Sequence, residues 1–149
     1  MAMSASKEQH VKLEVAGQRY AIRIDEIAEI IKPPHVTKIP GSKPHILGVT
    51  NVRGNMVPIV SLRHQLGLEE NGFSSRSRIV VARYRGEQVG IKVDGVSQVV
   101  RLDSIQPAEE GRTSREGIAC EAIGHSDEGL VGILSLSRIL EVQDEWRES

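Results

Sequence analysis

Two apolar runs separated by only three residues constrain the fold of this chain more than any other feature. The runs are Val49–Val52 and Met56–Val60, and Arg53-Gly54-Asn55 stands between them. Short apolar runs punctuated by Gly and Asn are typical of two strands that meet at a tight turn. Because Gly54 can adopt a positive φ without steric penalty, the chain can reverse there and leave Arg53 at the tip of a hairpin. An exposed turn arginine is most often only solvated.

The other short apolar runs of the chain are also bounded by turn residues. They predict strands over His10–Val15, Arg19–Ile24, Val36–Ile39, Arg78–Tyr84, Gln88–Val93, Val96–Leu102, Gly117–Ile123 and Leu130–Leu134. With the central hairpin this makes roughly nine or ten short strands at regular spacing. Such a pattern predicts a mainly β protein, a barrel or sandwich with mostly antiparallel strands.

Short helices are expected in three places. Asp25 can cap the first, in which Ile27, Ile30 and Ile31 share one face until Pro33 ends it. The second follows the central hairpin and the third, capped by Ser135, closes the fold. Their apolar positions are Leu62 and Leu66 in the second helix, and Leu136, Ile139 and Leu140 in the third.

Pro58 and two polar segments add further expectations. Since Pro58 has no N–H to donate, its strand is expected to be an edge strand or to be bulged there. Residues 69–77 contain Asn-Gly and three serines, and residues 107–116 are rich in charge, so both segments are expected to be loops.

Composition excludes several classes of protein. A chain of 149 residues with 39% apolar and 26% charged residues fits one globular domain or two small subdomains that share a core. The sequence has no apolar run long enough to span a bilayer and no secretory signal at its start, and it has a single cysteine, so we expect a cytoplasmic protein without membrane insertion. A net charge of −1 and an aromatic content of 3% argue against a nucleic-acid partner.

The sequence shows no set of residues at catalytic or metal-binding spacing. Its five histidines include no pair at the i, i+4 spacing of a helical metal site. Cys120 is the only candidate nucleophile, but it lies in an apolar run, where a buried thiol is ordinary. The segment Gly86–Gly90 lacks the Lys-Ser/Thr of a phosphate-binding loop. We therefore predict no catalytic residue, no metal, no cofactor and no enzymatic activity.

The segment Gly48–Arg63 resembles the signature of the CheW family of bacterial chemotaxis coupling proteins. That signature is Gly-Val-Ile-Asn-Leu-Arg-Gly, a few apolar residues, and then Pro-Val-Ile-Asp-Leu-Arg. The positions kept here are Asn51, Arg53, Gly54, Pro58, Leu62 and Arg63. Val52 replaces the usual Leu, and Ser61 replaces the usual Asp, which removes a charge and a possible helix cap and leaves open any contact made through that Asp.

A second segment, Val89–Val100, resembles the family pattern of Gly, two apolar residues, Val-Asp, one residue and Val, with Lys92 at a usually apolar position. The resemblance extends from about Val11 to Leu140. It implies two five-stranded barrels that share an apolar seam, with a few short helices. The expected organisation is a flexible N-terminus at 1–9, a CheW-like domain of two intertwined barrel subdomains at 10–141, and a tail at 142–149.

The resemblance also implies a function and two partners. A CheW-like protein is a non-catalytic adaptor that couples chemoreceptors, the methyl-accepting chemotaxis proteins, to the histidine kinase CheA. The regulatory domain of the kinase is itself CheW-like and pairs barrel end to barrel end. The cytoplasmic helical tip of the receptor lies in the groove between the barrels. The protein is then expected to be a monomer without its partners and to be recruited to membrane receptor arrays.

Candidate partner-binding residues follow from the motif matches. Ile27 and Glu29 match the first helix of the family, and the rest belong to the signature turn or to strands of the second barrel. The set is Ile27, Glu29, Asn51, Arg53, Gly54, Ile79, Val80, Gly90, Val96 and Val99. Their division between kinase and receptor stays open.

Three alternatives remain from the sequence. A CheW-like adaptor of a non-flagellar pathway, such as surface motility or second-messenger signalling, would share this fold and much of this sequence. A small-barrel nucleic-acid-binding protein is disfavoured by charge and aromatic content. An enzyme that uses Cys120 is the weakest alternative.

Overall fold

The structure is a computed structural model that describes residues 8–108 and 114–141, without the side chains of Arg115 and Glu141. Of the expected flexible N-terminus, only residues 8 and 9 fall within these ranges. The expected tail at 142–149 and half of the expected loop at 107–116 lie outside them.

The described chain is built mainly from short strands, as the sequence predicts. The strands are β1 (His10–Val15), β2 (Gln18–Arg23), β3 (Ile27–Ile31), β4 (Ile46–Val52), β5 (Asn55–Ser61), β6 (Arg78–Tyr84), β7 (Glu87–Val93), β8 (Gly95–Val100), β9 (Asp103–Pro107), β10 (Cys120–Ser126) and β11 (Gly129–Leu134). The helical segments are a 3₁₀ turn (Ile24–Glu26), α1 (Leu62–Gln65), α2 (Arg115–Ala119) and α3 (Leu136–Glu141).

The strands form two sheets, which define two subdomains. The first subdomain is a six-stranded sheet of order β8-β1-β2-β11-β10-β9, and the second is a five-stranded sheet of order β3-β6-β7-β5-β4. Pairing is antiparallel except between β11 and β2 and between β5 and β7. The mainly β fold is thus confirmed, but the first sheet has six strands rather than five. Within the described residues, strand pairing leaves both sheets open, so they are barrel-like rather than closed barrels.

The chain passes between the sheets at two points among the described residues. The first crossing is the 3₁₀ turn between β2 and β3, and the second is Asp94 between β7 and β8. The second subdomain is therefore inserted between β2 and β8 of the first, which intertwines the two.

Apolar side chains form one core between the sheets and one inside each subdomain. The shared core includes Leu13, Ile22, Val80, Ile91 and Leu140. It confirms that the two subdomains pack around common apolar side chains, as the resemblance implies. The interior cluster of the first subdomain is Ala21, Leu102, Ala122, Val131 and Ile133. That of the second is Val52, Val57, Ile59, Ile79 and Val81. Internal strands such as β6 are buried on both faces, which explains their nearly continuous apolar sequences.

The prediction of a helix from Asp25 to Ile31 is wrong. Only Ile24–Glu26 is helical, as a 3₁₀ turn, and Ile27–Ile31 is strand β3, which pairs antiparallel with β6. An apolar i, i+3, i+4 spacing is also compatible with an isoleucine-rich strand, and β-branched residues favour the pleated conformation. The segment forms a strand because it can pair with the free edge of β6.

Pro58 lies on an internal strand, so the expected edge position is wrong. It pairs opposite Val49 of β4, and pairing with β7 starts one residue later, at Ile59. The strand thus accommodates a residue without an N–H at the point where its second ladder has not yet begun.

Other differences concern short elements. The expected strand at 36–39 is reduced to a single bridge between Thr37 and Val49. Strand β9 was not expected, and residues 117–119 end α2 instead of starting a strand. These elements carry few residues, so their sequence pattern is weak.

Candidate functional site

The β4–β5 hairpin presents the signature turn as expected. Arg53 has φ +53° and Gly54 has φ +89°, and the Gly54 N–H donates to Oδ1 of Asn51 at 2.9 Å. A Cβ at Gly54 would meet nothing within 4 Å, so the turn requires glycine for its φ rather than for space. The Arg53 side chain is 79% exposed at the tip.

Arg53 is not merely solvated, because its guanidinium holds Glu29 with two hydrogen bonds. Nε donates to Oε2 at 2.9 Å and Nη2 donates to Oε1 at 3.1 Å. The hydrogen bond from Arg53 lowers the pKa of the Glu29 carboxyl below its ordinary value. The paired forks fix the geometry of both side chains.

This ion pair joins the two opposite edges of the five-stranded sheet. Glu29 is on β3 and Arg53 follows β4, and these are the first and last strands of that sheet. A bridge also pairs Val49 of β4 with Thr37, in the segment that follows β3. The sheet therefore curls far enough for a side chain beside one edge strand to reach the other, although these two strands do not pair, and the signature turn lies beside β3.

Ile27 and Val96 lie where the two subdomains meet. Both are partly buried and pack against the shared core, Ile27 from the second subdomain and Val96 from the first. Val99, also on β8, is 48% exposed. Strand β8 is the outer strand of its sheet, so Val96 and Val99 lie on an edge that is unpaired within the described residues. We call Ile27, Val96 and Val99 the seam residues.

Three expected site residues, Ile79, Val80 and Gly90, are buried in the core, so in this conformation they are not accessible to a partner. Ile79 and Val80 are 0% exposed. A Cβ at Gly90 would stand 2.5 Å from Cδ1 of Ile59 and 2.8 Å from Cγ2 of Ile79, so glycine there makes room for the interior of the second subdomain. The reason is that β6 and β7 are internal strands covered on both faces.

Arg63 and Asp94 were not among the candidate site residues, although each occupies a position of a family motif. In the structure they form an ion pair in which Nη2 lies 2.8 Å from Oδ2, and Nε lies 3.1 Å from both carboxylate oxygens. Their side chains are only 21% and 19% exposed. The Ala16 N–H also donates to Oδ2 of Asp94 at 2.9 Å.

Asp94 is thereby held by both subdomains at the second crossing. Burial raises the pKa of its carboxyl, but the hydrogen bonds from Arg63 and from the Ala16 backbone outweigh burial, and the net pKa is lowered. The carboxylate form is the one that these donors stabilise. The signal in the sequence was the joint presence of Arg63 and Asp94 at signature positions of opposite charge.

Ser61 and Lys92, two of the three departures from the family pattern, are neighbours on paired strands. Oγ of Ser61 accepts from the His64 N–H at 3.1 Å, so the expected loss of the helix cap is wrong: Ser61 caps α1. The same Oγ donates to Glu70 at 2.5 Å, and Glu70 pairs with the amino group of Lys92 at 2.8 Å. Glu70 thus supplies a carboxylate beside Ser61 and neutralises Lys92, which is 1% exposed.

Within 8–108 and 114–141, no cluster of three or more His, Cys, Asp or Glu side chains is arranged to hold a metal ion. The Cys120 thiol is buried in the shared core. None of the helices in these ranges has the length and apolar character needed to cross a bilayer.

Together, the two-subdomain fold and the meeting of both signature segments define a β protein of the CheW type. A family model described as "CheW-like domain" matches residues 9–144, and the chain belongs to this family. It is 31% identical to "Chemotaxis protein CheW" of Bacillus subtilis (strain 168) over 136 residues, which cover 90% of this chain and 87% of the relative.

Two further comparisons agree. "Chemotaxis protein CheW" of Helicobacter pylori (strain ATCC 700392 / 26695) is 31% identical over 134 residues, covering 89% of this chain and 81% of the relative. The solved structure of scaffolding protein TtCheW from Thermoanaerobacter tengcongensis superposes with a TM-score of 0.82 at 29% identity, covering 90% of this chain and 92% of that chain.

Proposed function

We propose that this protein is a non-catalytic adaptor that couples chemoreceptors to the histidine kinase CheA in bacterial chemotaxis. Membership of the CheW family supports the proposal. The observation that carries it is the exposed Arg53–Glu29 pair at the signature turn, which offers a partner a guanidinium fork held in a fixed position. The protein acts in the cytoplasm, at receptor arrays.

The receptor tip occupies the seam in this proposal. Ile27, Val96 and Val99 supply partly exposed apolar contact area from both subdomains, which suits an amphipathic helix. Arg53 adds charge-assisted hydrogen bonds to a carboxylate or to the last carbonyls of a partner helix. Because its side chain is largely exposed, Arg53 can release Glu29 and bind a group of the partner helix instead.

The regulatory domain of the kinase docks on the end of the second subdomain. There the β4–β5 and β6–β7 turns border a cleft of about 460 Å³, and Met56 on its rim is 63% exposed. Exposed methionine is adaptable in shape and suits an apolar contact with another barrel. In this proposal the receptor contacts the β4–β5 hairpin at Arg53 and the kinase contacts it at the cleft that Met56 borders, so both can be bound at once.

The mechanism is structural and requires no bond chemistry. The adaptor holds kinase and receptor in one relative geometry, and ligand-induced movement of the receptor tip biases the kinase between active and inactive arrangements. A reconstituted mixture of receptor, kinase and ATP tests this by phosphotransfer with and without the protein. We expect kinase activity under receptor control only when the protein is present, and equal activity in both mixtures would contradict the proposal.

A further inference from the structure

The second crossing between the subdomains is held by more polar contacts than the first. At Asp94, the side chain accepts from Arg63 of the second subdomain and from Ala16 of the first, and its own N–H donates to the Glu14 carbonyl at 3.1 Å. We call Arg63, Asp94 and Ala16 the crossing brace. It fixes both the side chain and the backbone of the residue at which the chain changes sheets.

The first crossing is held less firmly. There Nη2 of Arg23 and Oε2 of Glu26 form a single contact of 3.3 Å, with side chains 41% and 28% exposed. The Ile24 N–H donates to the Gln9 carbonyl at 2.9 Å. A single, more exposed contact constrains orientation less than a bidentate, shielded one.

The shared core cannot by itself define the angle between the sheets. Apolar attraction is non-directional, so it holds the two sheets together more strictly than it fixes their rotation. A planar guanidinium that reaches both oxygens of one carboxylate has a narrow range of productive geometries. The crossing brace therefore supplies the directional contact that the core lacks.

The angle matters because the seam residues come from different subdomains. Ile27 comes from the second subdomain and Val96 from the first, and both pack on the shared core. A rotation of one sheet against the other would change the separation of these side chains. Asp94 stands two residues before Val96, at the start of the strand that carries it.

We propose that Arg63 and Asp94 are positioning residues that hold the two subdomains at one angle and so set the width of the seam for its partner helix. This inference rests on the proposed function for the identity of that partner and for the kinase surface that serves as the comparison. The brace acts on the receptor surface, which spans both subdomains. It leaves the end of the second subdomain, where the kinase docks, unchanged.

The angle is measured without any partner by the distance between two spin labels. Met56→Cys and Leu130→Cys place one label on each subdomain at side chains 63% and 61% exposed, in a Cys120→Ala background. We expect one narrow distance distribution for the otherwise unchanged protein and a broader or bimodal one for Asp94→Asn. Arg63→Lys keeps the charge but offers one contact, so its distribution should be intermediate.

Affinities for receptor and kinase fragments complete the test on unlabelled full-length protein. Asp94→Asn should weaken receptor-fragment binding about tenfold and change kinase-fragment binding less than about twofold. Arg76→Gln is the matched control, because Arg76 and Glu14 line the same cleft as the crossing brace. The substitution removes their ion pair, in which the two atoms lie 3.0 Å apart and the Arg76 side chain is 74% exposed. We expect it to change neither affinity nor distance.

The outcomes separate the possible failures. An unchanged distance distribution in Asp94→Asn would overturn the inference, as would equal losses for both fragments or an unchanged receptor affinity. All comparisons are made under conditions in which circular dichroism shows that every variant is folded. Arg63→Lys, the milder substitution, replaces Asp94→Asn if the latter does not fold. If the unmodified protein binds neither fragment, the proposed function fails, and the distance distribution alone decides whether the brace fixes the angle.

Discussion

Two arginines of the signature segment, Arg53 and Arg63, make the same chemical contact in opposite environments. Each holds one carboxylate with a bidentate fork, Arg53 that of Glu29 and Arg63 that of Asp94. The side chain of Arg53 is 79% exposed, whereas that of Arg63 is 21% exposed. An exposed fork can exchange its carboxylate for a partner, and a shielded one is committed to the fold. From this difference in burial we propose a binding role for Arg53 and a positioning role for Arg63.

Removing the shielded carboxylate should have the largest effect. Asp94→Asn is expected to lower the free energy of unfolding by about 1–3 kcal/mol, because the Arg63 guanidinium loses its charged acceptor in a mostly shielded position. Urea denaturation at neutral pH measures the change. A loss below about 0.5 kcal/mol, the scale of ordinary surface substitutions, would show that the two pairs do not differ as described.

A matched pair of glycines separates the backbone of the signature turn from its side chains. Gly54 and Gly86 follow Arg53 and Arg85 in two hairpin turns with φ of +89° and +79°, and a Cβ at either glycine would meet nothing within 4 Å. Gly54→Ala and Gly86→Ala should each cost about 1 kcal/mol of stability, since an L-residue is strained at positive φ. Thermal denaturation of both variants should give nearly equal losses. A much larger loss at Gly54 would mean that the turn has a structural role beyond its φ.

Lowering the pH should remove the contribution of the Asp94 carboxylate to stability over a defined pH range. Its pKa is lowered in the fold, so its stabilisation is complete above the ordinary Asp pKa of about 3.9 and is lost as the pH falls through the lower, folded value. The stability difference between the unmodified protein and Asp94→Asn should be constant from neutral pH to about pH 5 and should shrink below about pH 4. A difference that vanished between pH 7 and 5 would contradict the lowered pKa.

Much of the fold was accessible from the sequence because it depends on local signals. The Arg53-Gly54 turn could be predicted, since a reversal at that position needs a residue that tolerates positive φ. The apolar core shared by the two subdomains was predicted from the family resemblance. The segment Ile27–Ile31 could not be assigned, since its spacing suits a helix or a strand and only the edge of β6 decides.

The site was less accessible, because it depends on contacts between distant segments. Glu29 and Arg53 were both named, yet their pairing requires the curl that brings β3 and β4, the opposite edges of one sheet, together. Ile79, Val80 and Gly90 were named from motif positions, but whether a strand is internal or at an edge is set by strand order. Ser61 and Lys92 depart from the family at positions 31 residues apart, and only the structure shows Glu70 joining them.

The central claim, that exposure makes Arg53 the binding arginine of the signature turn, is tested most directly by Arg53→Ala beside Arg85→Ala. Arg85 occupies a hairpin turn of the same backbone conformation but lies over the Tyr84 ring, with its Cζ 5.2 Å from the ring centre. Isothermal titration with a receptor-tip fragment should show an affinity loss of about tenfold or more for Arg53→Ala and less than about twofold for Arg85→Ala. Both melting temperatures should stay within about 2 °C of the unmodified protein. Equal affinities for the two variants, or a large fall in the melting temperature of Arg53→Ala with unchanged affinity, would contradict the claim and make Arg53 a structural clasp.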